Sequence, residues 1–211
     1  ALKTSSVKFV GIGKMYTTGE DGSAVTYSQL TPGVTLSTNG RSGEFLKFHD
    51  NSPSHIKLKW TDNGTESEWM ELNSLDAVPL KLPLQSPFEG EHLDLSMQQL
   101  DPGHIMILSW WLTTEFSGAI ARLTLSGNMI TGSRQEWDDD VEDEVWIYDK
   151  DLSGLASLCD AFLTLKTPIE LDLSNCGLSV NGVNPLAKAI SAGAAIARLV
   201  LNGNMITNYG K

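Results

Sequence analysis

The chain has 211 residues, 41% of them hydrophobic and 19% charged, with a formal net charge of −11 and a mean hydropathy of −0.12. This balance excludes a disordered polyelectrolyte. It also excludes a helical membrane protein, because the longest apolar stretch, Ile105-Met-Ile-Leu-Ser-Trp-Trp-Leu112, is far shorter than the roughly 20 residues that cross a bilayer. The acidic balance argues against nucleic acid and anionic lipid, which must be met by Lys or Arg, and favours a basic or neutral protein partner.

From about Val7 to Leu75 the chain reads as short strands: Val7-Lys-Phe-Val-Gly11, Ala24-Val-Thr-Tyr27, Val34-Thr-Leu36, Glu44-Phe-Leu-Lys-Phe48, Ile56-Lys-Leu-Lys-Trp60 and Glu66-Ser-Glu-Trp-Met70. Alternation is cleanest where Ile56, Leu58 and Trp60 interleave with Lys57 and Lys59, which gives one buried and one wet face. Turn signals fall between the runs at Gly19-Glu-Asp-Gly22, Thr31-Pro-Gly33, Asn39-Gly40 and Asp62-Asn-Gly64. Short strands at this density predict a small closed barrel over residues 1–80. The Trp60-Thr-Asp-Asn-Gly64 segment, with Trp69 and Leu75 after it, resembles the strand-turn-strand of SH3-like and Tudor-like barrels. That resemblance implies an aromatic cage for a methylated Lys or Arg, built from Tyr27, Phe48, Trp60 and Trp69. The same four rings would serve equally to fill the barrel, and core packing is the preferred reading. Asn63-Gly64-Thr65 fits a glycosylation sequon, but turn chemistry is again preferred.

Three prolines between Leu75 and Phe88 disfavour helix and central strand and predict an extended connection that closes the first domain. Beyond it the sequence repeats itself. Leu93-Asp-Leu-Ser96 recurs as Leu171-Asp-Leu-Ser174. Ala119-Ile-Ala-Arg-Leu-Thr-Leu-Ser-Gly-Asn-Met-Ile-Thr131 recurs, at eleven of thirteen positions, as the segment from Ala195 to Thr207. Four copies share the form Leu-x-Leu-x-x-(Asn/Cys/Gln)-x-(Leu/Ile), at Leu93/Leu95/Gln98/Leu100, Leu123/Leu125/Asn128/Ile130, Leu171/Leu173/Cys176/Leu178 and Leu199/Leu201/Asn204/Ile206. The pattern resembles leucine-rich repeats. The intervals from Leu93 to Leu123 and from Leu171 to Leu199 are nearly equal, and each is long enough to carry a helix after its strand. That length, with Cys176 in the Asn position, resembles the ribonuclease-inhibitor-like subfamily.

This resemblance implies an α/β solenoid over residues 81–211, with four strands on a concave face and helices on the convex one. Helices are expected from Asp101-Pro102 to about Thr114, from Leu152 to Leu165 and from Val183 to Ala192. The expected fold class is therefore a short solenoid preceded by a small all-β SH3-like barrel.

The interval from Leu123 to Leu171 is much longer than the other two, and the excess falls at about 131–150. It includes Glu136-Trp-Asp-Asp-Asp-Val-Glu-Asp-Glu144, in which seven of nine residues are acidic. The segment lacks the alternating acids and central glycine of an EF-hand, so it is expected to hold no calcium. Either it is a solvated acidic loop, or Trp137 and Trp146 bracket Asp138, Asp139 and Asp140 as contacts for a partner.

Across the four strands, side chains flanking the inward leucines should form three rows. These are His92, Arg122, Glu170 and Arg198; Asp94, Thr124, Asp172 and Val200; and Ser96, Ser126, Ser174 and Asn202. Arg122 and Glu170 either meet a partner or simply pair with each other.

Catalytic signals are poor. His49, His55, His92 and His104 have no Ser or Cys partner in a recognised motif, Gly11-Ile-Gly13-Lys14 lacks the rest of a phosphate loop, and Cys159 and Cys176 fit no zinc spacing. No catalytic, cofactor or metal residue is expected. Two cysteines are too few for a disulfide-stapled secreted domain, so a reducing, cytoplasmic setting is expected. The last repeat reaches Tyr209-Gly-Lys211 without a polar cap, which invites further repeats, a partner or self-association.

The sequence thus predicts a non-catalytic protein–protein interaction module, an adaptor or a structural subunit. It would bind through Arg122, Thr124, Glu170, Asp172, Arg198 and Val200 on the strand face, and through the acidic insertion. The alternatives are a regulator of another enzyme, inhibitor-like or GTPase-activator-like, and a reader of modified peptides through the barrel.

Overall fold

The computed structural model describes residues 7–18 and 23–206; the turn expected at 19–22 and the uncapped end at 209–211 lie outside them. Gly13–Leu80 form one compact unit, and the described residues on either side of that segment form another.

The first described element is β1 (Phe9–Thr18), which pairs antiparallel with β2 (Ser23–Val25). A second sheet follows from β3 (Thr35–Thr38), β4 (Arg41–His49), β5 (Ser52–Trp60) and β6 (Met70–Glu71), antiparallel and in chain order. Asn39 and Gly40, at φ 49° and 76°, make the two-residue turn between β3 and β4. Positive φ at both positions matches the twist of the strands, which is why an Asn-Gly pair sits there. Leu36, Phe45, Ile56 and Leu58 point inward and pack with Tyr16, Leu30, Leu72 and Leu75. The Asn63 side chain accepts from the backbone N–H (3.0 Å) and hydroxyl (2.8 Å) of Thr65, so the sequon residues are engaged in their own turn.

β7 (Ala77–Pro83) joins β1 and β2 in a three-stranded sheet, in the order β2-β1-β7. A strand therefore runs through part of the Leu75–Phe88 segment that its prolines had suggested was only a connection. It is an edge strand, where a missing N–H costs no ladder bond.

In the other unit, β8 (His92–Asp94), β9 (Arg122–Thr124), β12 (Ile169–Asp172) and β13 (Ile196–Val200) form a parallel sheet, ordered β13-β12-β9-β8. The strands stand in direct register, Leu93 beside Leu123, Leu123 beside Leu171 and Leu171 beside Leu199. Between them run α1 (Pro102–Leu112), α2 (Ser153–Thr164) and α3 (Val180–Ser191), with α1 packed on α2 and α2 on α3. Asp101 caps α1 by accepting from the His104 N–H at 2.9 Å, and Pro102 opens it with φ already helical. Gly154 lets α2 approach α1, since a Cβ there would lie 2.8 Å from the Pro102 Cα. The core holds Leu93, Leu123, Leu171, Ile105, Trp111, Leu158 and Phe162, each contributing about 1.5–3 kcal/mol by leaving water.

Two asparagines tie neighbouring segments of this unit together. Buried Asn128 accepts from the N–H groups of Gln98 (2.9 Å) and Leu100 (3.0 Å) and donates to the carbonyls of Leu95 and Leu125, both at 2.8 Å. Asn204 does the same for Cys176 and Leu178 (2.9 and 3.0 Å) and for Leu173 and Leu201 (2.7 and 2.9 Å). A primary amide is the shortest side chain that offers two donors and two acceptor sites at once.

The expected fold class needs correction on both halves. Strands hold 37% of the structure against 22% for helix, in four sheets with three helices among the described residues, and there is no solenoid arrangement. The architecture is β-rich, and neither an α/β solenoid nor a leucine-rich-repeat solenoid describes it. Nor do the early strands close as one SH3-like barrel. They divide between two sheets, and among the described residues β3 and β6 remain edges. The physical reason lies in segments read as connections. Residues 77–83 pair as a strand, and the acidic insertion pairs with itself, so strand content rises where irregular chain was expected.

Candidate interaction surface

The insertion folds as a hairpin of β10 (Arg134–Asp138) and β11 (Asp143–Ile147). Its register pairs Gln135 with Trp146, Glu136 with Val145, Trp137 with Glu144 and Asp138 with Asp143. Opposite residues of an antiparallel pair share a face. One face therefore carries Gln135, Trp137, Glu144 and Trp146, and the other carries Arg134, Glu136, Asp138, Asp143, Val145 and Ile147.

The indoles stand in water. Trp137 is 62% exposed and Trp146 44% exposed. Trp146 stacks on Tyr148 at 5.8 Å with an 18° interplanar angle. The Trp137 Nε1–H donates to the Asp139 carboxylate at 2.9 Å, which fixes the orientation of the ring.

Glu144 is the one acid in register on the aromatic face, and the ion-paired Glu136 lies on the other. Glu136 takes the ammonium of Lys150 at 2.7 Å and also pairs with the Arg134 guanidinium. The Lys150 hydrogen bond, and then the charge of Arg134, hold its carboxyl below the usual range. Among the described residues Glu136 alone of the seven hairpin acids pairs with a cation. Asp138 and Asp143 face each other across the ladder, and Asp138 accepts from the Asp140 N–H at 2.9 Å.

The hairpin is held at its base by Asp149, whose carboxylate accepts from the Ser179 N–H (3.0 Å), the Ser179 hydroxyl (2.5 Å) and the Gly182 N–H (2.8 Å) at the start of α3. A carboxylate there meets the positive end of the helix and two N–H groups that lack helical partners.

The parallel sheet supplies a second, shallower feature, a groove of about 280 Å³. Its register places His92, Arg122, Glu170 and Arg198 in one row and Asp94, Thr124, Asp172 and Val200 in the next. The Arg122 guanidinium meets Glu170 at 2.8 and 2.9 Å. His92 Nε2 lies 2.9 Å from the Thr124 hydroxyl, and Asp172 accepts from the Ser174 N–H at 2.8 Å. Arg198 is exposed beside Glu170, with no ion pair among the described residues.

The strand-face residues singled out from the sequence thus line one groove, while Trp137, Asp138, Asp139, Asp140 and Trp146 gather on the hairpin. Sequence reasoning missed Tyr148 and Asp149, and took Glu144 only as the last acid of the insertion. Tyr148 was legible as two residues beyond Trp146, the strand repeat. Asp149, which caps a helix far along the chain, had no local signal.

The four rings considered for a cage take different neighbours. Tyr27 packs on Phe48 at 5.0 Å, Trp69 meets His49 at 4.7 Å, and Trp60 carries the Arg41 guanidinium at 3.9 Å. Both cysteines are buried and free. Burial pushes the Cys159 thiol up to about 11 and the Cys176 thiol up to about 12. No described helix is long and apolar enough to cross a membrane. Comparison of the sequence with protein-family models and with curated proteins returns no match.

Proposed function

We propose that this protein is a non-catalytic protein–protein interaction module, an adaptor or structural subunit of a larger assembly. It acts in a reducing, cytoplasmic compartment. The observation that carries the reading is the hairpin face, where Trp137 and Trp146 stand exposed next to carboxylates that no cation of the described chain neutralises. Exposed tryptophans contribute little in water, whereas burial by a partner makes them dominant contacts. The strand-face groove adds polar side chains on rigid strands, whose order is already established before binding. Two free buried cysteines support the reducing compartment.

The test is site-specific photocrosslinking in the native host. A photoreactive residue in place of Trp137 or Thr124 should form a discrete adduct with one protein. The same residue in place of Met106, exposed on α1, should not. Equal labelling at all three positions would contradict the proposal.

A further inference from the structure

We infer that the aromatic face of the hairpin is a receptor for arginine side chains on an extended segment of the partner. This deepens the proposed function and rests on it.

The protein already uses such a receptor on one of its own arginines. The Arg41 guanidinium lies 3.9 Å over the Trp60 ring while Nε and a terminal nitrogen each donate to Asp62 at 2.9 Å. The guanidinium is planar, so it can stack on an indole and offer two parallel donors to a carboxylate at the same time. The clamp holds the Asp62 carboxyl below its ordinary range.

The hairpin presents the two acceptor parts of that device without the cation. Trp137 lies directly across from Glu144, and Trp146 lies diagonally from Trp137 on the same face. Tyr148 extends the aromatic strip by stacking on Trp146. The nearby cations, Arg134 and Lys150, are both engaged by Glu136 on the opposite face. Rings with carboxylates beside them, and no internal cation, match a guanidinium better than an ammonium. A lysine would gain the charge attraction without the stacked plane. Trp137 is already oriented by Asp139, so binding has less ring motion to suppress. Residues two apart on an extended chain project to one side, so arginines at alternate positions could reach both indoles.

The experiment titrates the full, nitrogen-labelled chain with three blocked peptides alternating glycine with arginine, lysine or citrulline. The readout is the indole N–H signals. The arginine peptide should shift the Trp137 and Trp146 signals saturably, the lysine peptide should bind several-fold more weakly, and the uncharged citrulline peptide should not bind. Trp137→Ala, read through Trp146, should weaken the arginine peptide by about tenfold, and Glu144→Gln should weaken it several-fold. Equal affinity for arginine and lysine peptides, unchanged affinity in Trp137→Ala, or no shift at all would overturn the assignment. If the arginine peptide fails while crosslinks at position 137 still form, the guanidinium assignment falls and the interaction reading stands. If crosslinks fail as well, both fall.

Discussion

The carboxylate of Asp149 holds Ser179 by two hydrogen bonds, from its backbone N–H at 3.0 Å and its hydroxyl at 2.5 Å, and so joins the base of the acidic hairpin to the start of α3. Its other oxygen is buried, without a hydrogen-bond partner among the described residues, and a Cβ on Gly182 would lie 2.6 Å from it. Asp149→Ala should therefore cost about 1–2 kcal/mol, the usual effect of losing a helix cap. Gly182→Ala should destabilise the wild-type chain more than the Asp149→Ala chain, where the remaining close contact is the end of the Leu178 side chain at 3.0 Å and alanine's helix preference of about 1 kcal/mol over glycine opposes it. Urea unfolding of the four proteins checks this double-mutant cycle, and simple additivity would count against the contact.

Asn128 and Asn204 make matching sets of four hydrogen bonds, but Asn128 is fully buried and Asn204 only partly. Replacing Asn128 by Ala strands donors and acceptors that water cannot reach, at a cost of about 3–5 kcal/mol for the set. Asn204→Ala should cost distinctly less, because water can replace some of the lost partners. Equal losses in thermal unfolding would mean that burial does not set the cost.

Much of the parallel-sheet unit was legible because its signals are local. Asp101-Pro102 announces a helix start, the repeated Leu-x-Leu places strands, and Asn128 sits where a turn needs an amide. The hairpin was harder. In Gln135-Glu-Trp-Asp and Glu144-Val-Trp-Ile the strand alternation is present, but its faces differ in charge and ring rather than in hydrophobicity, so the segment read as loop. The fold class was misjudged for a related reason. The repeated Leu-x-Leu pattern carried the solenoid expectation, while β7, β10 and β11 showed no strong apolar period. For the four rings of the first unit core packing was the preferred reading, but sequence cannot show that Arg41, which opens the strand beside that of Trp60, lies across its ring. Asp149 was invisible because a cap on a distant helix leaves no pattern in its own segment.

The two thiols give a pH signature. Their folded values of about 11 and 12 exceed the ordinary 9.0. The folded state therefore keeps protons that the unfolded chain releases, and the contribution to stability is full below pH about 9. It is lost as pH rises from there through the folded values. Chemical denaturation midpoints should fall over that alkaline window, and Cys159→Ala with Cys176→Ser should flatten the fall. Thiol reagents at pH 7.5 should label neither cysteine until the chain unfolds.

Arg122 and Glu170 form an exposed pair between adjacent strands. A double-mutant cycle with Arg122→Ala and Glu170→Ala should return a coupling of only about 0.2–1 kcal/mol, decreasing with salt. A coupling well above that range would assign the pair to stability rather than leave it available to a partner.

The most direct measurement is the affinity of the crosslinked partner for the intact protein and for Trp137→Ala, by calorimetric titration of the two purified proteins. The account predicts a loss of about 2 kcal/mol or more, roughly thirtyfold, with unfolding stability changed by no more than about 0.5 kcal/mol. An affinity that does not change when this exposed indole is removed would contradict it.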